Sequence, residues 1–318
     1  MKKVFYTLLS LIPVFLISCD KTENDGASTS LTDLQNIQYG VAPDSGGVQT
    51  QLLLDIYFPP VATTAHKYPL VLFTHGGGFI QGDKADTKTI CSALADSGFV
   101  VASINYRLGW RTGTSSCSGD TLNKRLAAYR AIQDANAALR FLVSKAGEYA
   151  IDENYVFIGG GSAGAGTSLM TTYITNPVAQ QIAAQEYVAL GPVNTSGNLL
   201  TTAFVIKGIV NMWGALPDST LITSSAAVPM ISFHGTSDNV VPYDFGYSNN
   251  CPNYQMEYGS ACLSRRLYAA NKPFWLRLKT GGGHGPDLYA PGFTVPKIAD
   301  FFRKIIKGEN IESKVWVD

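Results

Sequence analysis

Tyr155-Val156-Phe157-Ile158-Gly159-Gly160-Gly161-Ser162-Ala163-Gly164-Ala165-Gly166 is the stretch whose reading decides the fold. A short β-branched and aromatic block runs into small residues and then a helical pattern, which reads as strand, very tight turn, helix. Ser162 falls on the turn, with Gly160 and Gly164 at minus two and plus two, so the pattern is G-x-S-x-G. A serine at such a corner is forced into a strained backbone conformation, and a Cβ on either flanking position would collide as the helix folds back over the strand. The strain turns Oγ outward and puts the backbone N–H of Ala163 at a helix N-terminus, where it can meet a developing negative charge.

A competing pattern overlaps this one. Gly159, Gly161 and Gly164 also spell G-x-G-x-x-G between a strand and a helix, the arrangement that holds a dinucleotide pyrophosphate. That use requires a second strand ending in an acidic residue about twenty positions on. Residues 176–186, Asn-Pro-Val-Ala-Gln-Gln-Ile-Ala-Ala-Gln-Glu, are helical in pattern instead, and the dinucleotide reading is set aside.

Outward from the turn, strand and helix patterns alternate from residue 34 onward. Residues 51–58 read as a strand stopped by Pro59-Pro60, and residues 68–74 form a near-continuous apolar run, as in a strand buried on both faces of a parallel sheet. A helix is expected over 85–97, closing at Gly98, and another buried strand over 99–105. Leu122, Leu126, Tyr129, Ile132, Leu139 and Leu142 share one helical face, so 121–146 is the clearest helix. Further strands are expected at 207–212, 230–233 and 274–278, and a last helix at 294–307. The alternation predicts an α/β fold with a mostly parallel central sheet and helices on both faces. Ligands in such sheets gather at the carboxyl ends of the strands.

Three sequence clusters fall at such ends. After the strand at 68–74 comes His75-Gly76-Gly77-Gly78-Phe79. Successive glycines let the backbone aim N–H groups into a pocket, which makes Gly77 and Gly78, with Ala163, the candidate donors to an oxyanion. After the strand at 230–233 comes His234-Gly235-Thr236-Ser237-Asp238, and Asp238 is placed to accept a hydrogen bond from an imidazole and fix its tautomer. After the strand at 274–278 comes Gly281-Gly282-Gly283-His284. A histidine on so bare a loop is reachable by solvent, as a general base must be. Among the other histidines, His66 lies in a polar loop, His75 is better used to brace the glycine loop, and His234 sits four residues before the acid.

The order Ser162, Asp238, His284 is the chain order of the α/β-hydrolase triad. The chain resembles an α/β-hydrolase of the carboxylesterase and feruloyl-esterase-like type in HGGGF at 75–79, NYRLG at 105–109, GGSAG at 160–164, HGTSDNVVP at 234–242 and GGGH at 281–284. The resemblance implies that Ser162 is the nucleophile, His284 its base, Asp238 the orienter of that base, and Gly77, Gly78 and Ala163 the oxyanion hole. It implies a carboxylic ester hydrolase working through an acyl-enzyme on short-chain or aromatic acyl esters, small or linked to a polysaccharide. Two alternatives stand beside it, a serine peptidase on the same fold and a catalytically silent binding protein. In relatives the residue before the nucleophile is often acidic or otherwise polar, whereas here it is Gly161. Arg107 is read as structural, paired with a helix acid such as Asp134, and Phe79, Trp110, Trp213 and Tyr243 are candidate pocket walls. A neutral imidazole is required of the base, so activity is expected to fall as pH drops through about 6 to 7.

The 318 residues are 46% hydrophobic and 15% charged, with zero formal net charge. This suffices for one large core and argues against nucleic acid or any strongly charged partner. No cofactor or metal is expected, because no cluster of His, Cys, Asp and Glu has ligand spacing. Residues 1–18 carry two lysines and then a mainly apolar run too short to span a bilayer comfortably, as in a secretory signal. Leu16-Ile17-Ser18-Cys19 resembles the lipobox of bacterial lipoproteins, which implies lipidation of Cys19 and attachment to the bacterial cell envelope outside the cytoplasm. Polar residues 19–33 read as a flexible tether, leaving 34–318 as the hydrolase domain. Export permits disulfides among Cys91, Cys117, Cys251 and Cys262, in three possible pairings. Proximity in sequence favours Cys91 with Cys117 and Cys251 with Cys262.

Overall fold

The structure is a computed structural model that describes Met1 and residues 28–115, 117–285 and 291–318. Cys19, the lipobox and Pro286 lie outside the described residues. In chain order the elements are β1 (Leu34–Pro43), β2 (Gln49–Tyr57), β3 (Tyr68–Thr74), α1 (Lys88–Asp96), β4 (Val100–Ile104), α2 (Thr121–Ser144), β5 (Ile151–Gly161) and α3 (Ala163–Tyr173). They continue with α4 (Asn176–Ile182), α5 (Ala184–Leu190), β6 (Ile206–Met212), β7 (Ala215–Leu216), β8 (Met230–Gly235), β9 (Phe245–Tyr247) and β10 (Met256–Gly259). The last are α6 (Ser260–Ala269), β11 (Phe274–Lys279), α7 (Pro291–Ile306) and β12 (Lys314–Val317).

Among the described residues nine strands form one sheet in the order β1-β2-β4-β3-β5-β6-β8-β11-β12. The β1/β2 and β2/β4 pairs are antiparallel, and every pair from β4 to β12 is parallel. The apolar run of β3 shows why the sheet is covered twice. Leu70 and Leu72 enter one buried cluster with α2, α3 and α6, while Val71 and Phe73 enter another with α1 and α7. A strand with water on one side would alternate apolar with polar, and β3 does not. Asp120 caps α2 by accepting the N–H of Asn123 at 2.9 Å, satisfying one of the donors that a helix start leaves open.

The expected tether is not wholly free of the domain. Leu31 N–H donates to Ala62 O at 2.9 Å and Asp33 accepts the Phe58 N–H at 3.0 Å, so the residues just before β1 are bonded to the loop after β2.

The expected cysteine pairing is overturned. The disulfide joins Cys117 to Cys251, and Cys91 and Cys262 are free thiols. Cys91 is buried under α1 on one face of the sheet, whereas Cys117 and Cys251 pack with the core on the other face, so the sheet itself separates Cys91 from Cys117. Cys262 is carried on α6, while Cys251 faces the loop before α2, where Asn253 also donates to Cys117 O and Gly119 N–H donates to the Tyr254 hydroxyl at 2.9 Å. The bond spans 134 residues of sequence, a long loop to leave open in the unfolded chain. Removing it by Cys117→Ser with Cys251→Ser is expected to lower stability by about 2–5 kcal/mol. Denaturant melts with and without reductant check this: reductant should destabilise the wild type and leave the double variant unchanged.

Candidate active site

The elbow has the strain its sequence implies. Ser162 sits at φ 55°, ψ −122°, its N–H donates to Met212 O at 2.9 Å, and its carbonyl opens α3 by accepting the Gly166 N–H at 2.9 Å. A conformation so rarely adopted by a residue with a Cβ costs of order 1–3 kcal/mol and persists only where its surroundings enforce it. The neighbouring glycines supply that enforcement by close contact. A Cβ at Gly160 would come within 2.5 Å of Thr74 O and 2.6 Å of Gly164 C, and one at Gly164 would come within 2.1 Å of Thr74 O. The collisions are therefore with the end of β3 as well as with the returning helix. Gly164→Ala must push α3 off β3 and is expected to cost about 1–3 kcal/mol or more, with loss of activity at least in proportion. Denaturant melts beside ester turnover check it, and a variant melting like wild type would contradict the packing.

The loops at the ends of β8 and β11 are joined before their side chains meet. Ser237 N–H donates to Gly282 O at 2.9 Å, Thr236 N–H to Lys279 O at 3.0 Å, and Gly281 N–H to the Thr236 hydroxyl at 2.9 Å. A Cβ on Gly235 would lie 2.2 Å from Gly282 O, so bare backbone is what permits the approach. This clasp brings together the three residues singled out in the sequence. His284 Nε2 is 2.7 Å from Ser162 Oγ, and His284 Nδ1 is 2.7 Å from Asp238 Oδ2. The hydroxyl, the imidazole and the carboxylate form one hydrogen-bonded line.

Asp238 is held from both sides. Its Oδ1 accepts the N–H groups of Val240 and Val241, each at 2.9 Å, while Oδ2 faces His284 and, at 3.3 Å, His234 Nε2. Burial by itself would favour the neutral acid. The bonds from His234, then from His284 and the Val241 amide, outweigh it and hold the carboxyl well below the usual carboxylate range. A carboxyl whose folded-state pKa is depressed adds stability that is complete above its unfolded value, about 4, and is lost as pH falls below that. Stability of the wild type should therefore drop more steeply between pH 5 and 3 than that of Asp238→Asn; equal slopes in denaturant titrations would contradict it.

The glycine loop after β3 is braced as expected for His75, and in more detail than the sequence suggested. Burial lowers the pKa of His75; its Nδ1 lies 2.7 Å from Gly76 O, and its ring stacks on Tyr106 at 4.3 Å. Tyr106 donates to His75 O at 2.8 Å, and the N–H groups of Gly109 and Trp110 both reach Phe79 O. Arg107 is structural: its Nη2 pairs with Asp134 at 2.7 Å and also donates to Gln133, and its Nη1 donates to Pro43 O. Among the described residues the N–H groups of Gly77, Gly78 and Ala163 donate to no acceptor of the chain. Such unpaired amides can receive a negative oxygen. Gly78 and Ala163 border the same cavity as Ser162, and the φ of 100° at Gly77 serves a turn in which its carbonyl accepts from Ile80 and Gln81.

That cavity has a volume of about 740 Å³. Of the four aromatic residues expected as walls, Phe79 and Trp110 line it, and Trp213 and Tyr243 do not. Trp213 instead meets His284 edge to face at 6.4 Å, and a Cβ on Gly161 would lie 3.4 Å from its indole. The indole thus occupies the side of the elbow that a residue larger than glycine before Ser162 would fill. One wall is apolar, with Met170 of α3 and Ile174 just after it beside Ala128 and Ile132 of α2; the other is polar and aromatic, with Lys124, Glu257, Trp110 and Tyr254. Lys124 lies over the Trp110 ring at 4.9 Å and reaches Glu257 at 3.4 Å. The disulfide fastens the loop that carries Trp110 to the loop that carries Tyr254.

The BD-FAE family model matches residues 54–216. Carboxylesterase 3 of Pongo abelii is 32% identical over 151 residues, 46% of this chain and 24% of that protein. Ethyl acetate hydrolase of Pseudomonas putida is 33% identical over 137 residues, 42% of this chain and 36% of that protein. The chain thus spans only about a quarter to a third of the length of these relatives. Among solved structures, Thermogutta terrifontis esterase 2 phosphorylated by paraoxon superposes with a TM-score of 0.60 at 20% identity, covering 90% of this chain and 97% of that one. A truncated carbohydrate esterase from gut microbiota gives 0.59 at 23% identity, covering 88% and 98%. At these identities the likeness establishes the fold, which is that of the α/β-hydrolases.

Proposed function

The chain belongs to the BD-FAE family, and from that premise we propose that it is a serine carboxylic ester hydrolase acting through an acyl-enzyme. The observation that carries the proposal is the line Ser162 Oγ, His284, Asp238, with 2.7 Å at each link. His284 Nε2 takes the hydroxyl proton as Oγ attacks the ester carbonyl; Nδ1–H stays on Asp238, which stabilises the imidazolium that forms. Negative charge on the carbonyl oxygen is met by the free amides of Gly77, Gly78 and Ala163. The protonated imidazole then gives its proton to the leaving alcohol. Water, activated by the same nitrogen, cleaves the acyl group from Ser162.

The substrates are short-chain or aromatic acyl esters, small or carried on a polysaccharide. A cavity of about 740 Å³ bordered by Phe79, Trp110 and Tyr254 supports an aromatic group on one side of the scissile bond. The relatives described as an ethyl acetate hydrolase and a carbohydrate esterase lie within this class. The test is a series of acetyl, butyryl, longer acyl and feruloyl esters assayed by kcat/KM. Turnover of at least one of them by wild type is expected, and a protein that turns over none would end the proposal. A lipid anchor at Cys19 in the bacterial cell envelope rests on the sequence 16–19; Cys19→Ser should release the protein from the membrane fraction, and retention there would refute it.

A further inference from the structure

His234 has so far only been a contact of Asp238, yet its surroundings fix its hydrogens. The chain of bonds starts at a backbone donor whose direction is certain: Gly214 N–H donates to Asn211 Oδ1 at 2.9 Å. The Asn211 amide nitrogen must then face Ser260, and Nδ2–H donates to Ser260 Oγ at 3.0 Å. Ser260 is fully buried. Among the described residues its hydroxyl hydrogen has no acceptor except His234 Nδ1, 2.7 Å away. On the other side of the ring, Nε2 faces two oxygens, Val241 O at 3.1 Å and Asp238 Oδ2 at 3.3 Å. A bare nitrogen there would set lone pair against lone pair. His234 is therefore neutral, with its proton on Nε2.

We propose that His234 is a positioning residue of the triad, which holds Asp238 through Nε2–H in one orientation and one charge state for His284. The inference rests on the reading of Asp238 as the acid that orients His284. With Nε2–H added, two imidazoles meet at Oδ2 and two amides at Oδ1, so the carboxylate cannot rotate about its own axis without losing donors. Because the second ring is neutral, no like charge opposes the imidazolium that His284 becomes when it takes the Ser162 proton. The same Nε2–H holds Val241, a wall of the cavity. At its far end the chain of bonds reaches Gly214, next to Trp213, whose indole meets His284. Both surfaces that hold the base, carboxylate and indole, are thus tied to one buried network.

Asn and Gln separate the two sides of the ring. The amide of Asn reaches only as far as Nδ1 and can bond Ser260; that of Gln reaches the position of Nε2 and restores a donor to Asp238. With p-nitrophenyl butyrate as substrate, His234→Asn is expected to lower kcat about 10- to 100-fold with KM unchanged, as for a misplaced catalytic group. His234→Gln should recover most of that loss. Proton–nitrogen correlation spectra of the wild type at neutral pH should show His234 protonated at Nε2 and bare at Nδ1, which decides the matter even if the Asn variant does not fold. A folded Asn variant with wild-type kcat, Asn and Gln variants equally impaired, or a proton on Nδ1 would overturn the proposal. A wild type that turns over no ester would count against the esterase reading, and the spectra would still decide where the His234 proton lies.

Discussion

Ser162→Ala lowers kcat for an activated acetyl or butyryl ester by about 10⁴-fold or more and leaves KM for the ester close to wild type. The reason is local. Oγ is the one heavy atom removed, and in the proposed mechanism it is the atom that forms the bond to the acyl carbon. The residual rate expected is that of the proposed oxyanion hole, the amides of Gly77, Gly78 and Ala163, which the substitution leaves in place. The substitution should also relieve no strain and release no packing. Alanine keeps the Cβ that makes φ 55° costly, and the Met212 and Gly166 backbone bonds that hold the elbow do not involve the hydroxyl. Melting curves of the two proteins should therefore nearly coincide while their turnover differs by orders of magnitude. A variant that retained a tenth of wild-type kcat would remove Ser162 from the reaction.

Asp238→Asn is the second large effect, and it follows from counting donors. Four N–H groups converge on this carboxylate, those of Val240 and Val241 on Oδ1 and those of His284 and His234 on Oδ2. An amide of the same shape offers an acceptor on one side only. If its oxygen stays with the two backbone amides, its NH₂ meets the imidazoles, and His284 can bond it only by giving up Nδ1–H, which places a proton on the nitrogen that should receive one from Ser162. If its oxygen turns to the imidazoles, two backbone N–H groups lose their partner in a buried site. The first arrangement is expected to reduce kcat about 10³- to 10⁴-fold, and the second to cost about 1–3 kcal/mol of stability. Turnover and denaturant melts together tell which one the protein adopts. Loss of neither would mean that the carboxylate is not the partner of His284.

The site was legible in the sequence wherever chemistry imposes a local pattern. Glycines at 160 and 164 are demanded by contacts as short as 2.1 Å, and they frame Ser162 in any reading of the chain. Asp238 and His284 follow strands whose apolar character marks them as buried, so their place at the carboxyl edge of the sheet could be inferred without knowing which strands are neighbours. Arg107, read as structural and paired with a helix acid such as Asp134, does pair with it. What could not be read depends on where distant segments meet. Cys91 and Cys117 are close in sequence but lie on opposite faces of the sheet, and the bond that forms spans 134 residues. Trp213 was expected to wall the pocket and instead covers Gly161 and His284, because its direction is set by a backbone φ of 47° that nothing in the sequence announces. Helix α6 opens just after a short strand of a second, three-stranded sheet, β7-β10-β9, whose two- to four-residue strands carry no period long enough to detect. His234 was set aside for standing four residues before the acid, although its Nδ1 is bonded to Ser260 of α6 and its Nε2 faces Asp238 itself. Its one visible signal was a second histidine at i, i+4 from the triad carboxylate.

In the proposed reaction Ser162 becomes covalently bonded during turnover. The direct measurement is to treat the protein with a p-nitrophenyl phosphonate, from whose phosphorus a serine oxygen displaces p-nitrophenolate while water barely attacks it, and to read the intact mass and then the peptides. The account predicts one phosphonyl group per chain, on Ser162, with ester hydrolysis lost in step with labelling and no label on Ser162→Ala. Complete hydrolytic activity in an unlabelled protein, or a label on a different residue with Ser162 untouched, would contradict it.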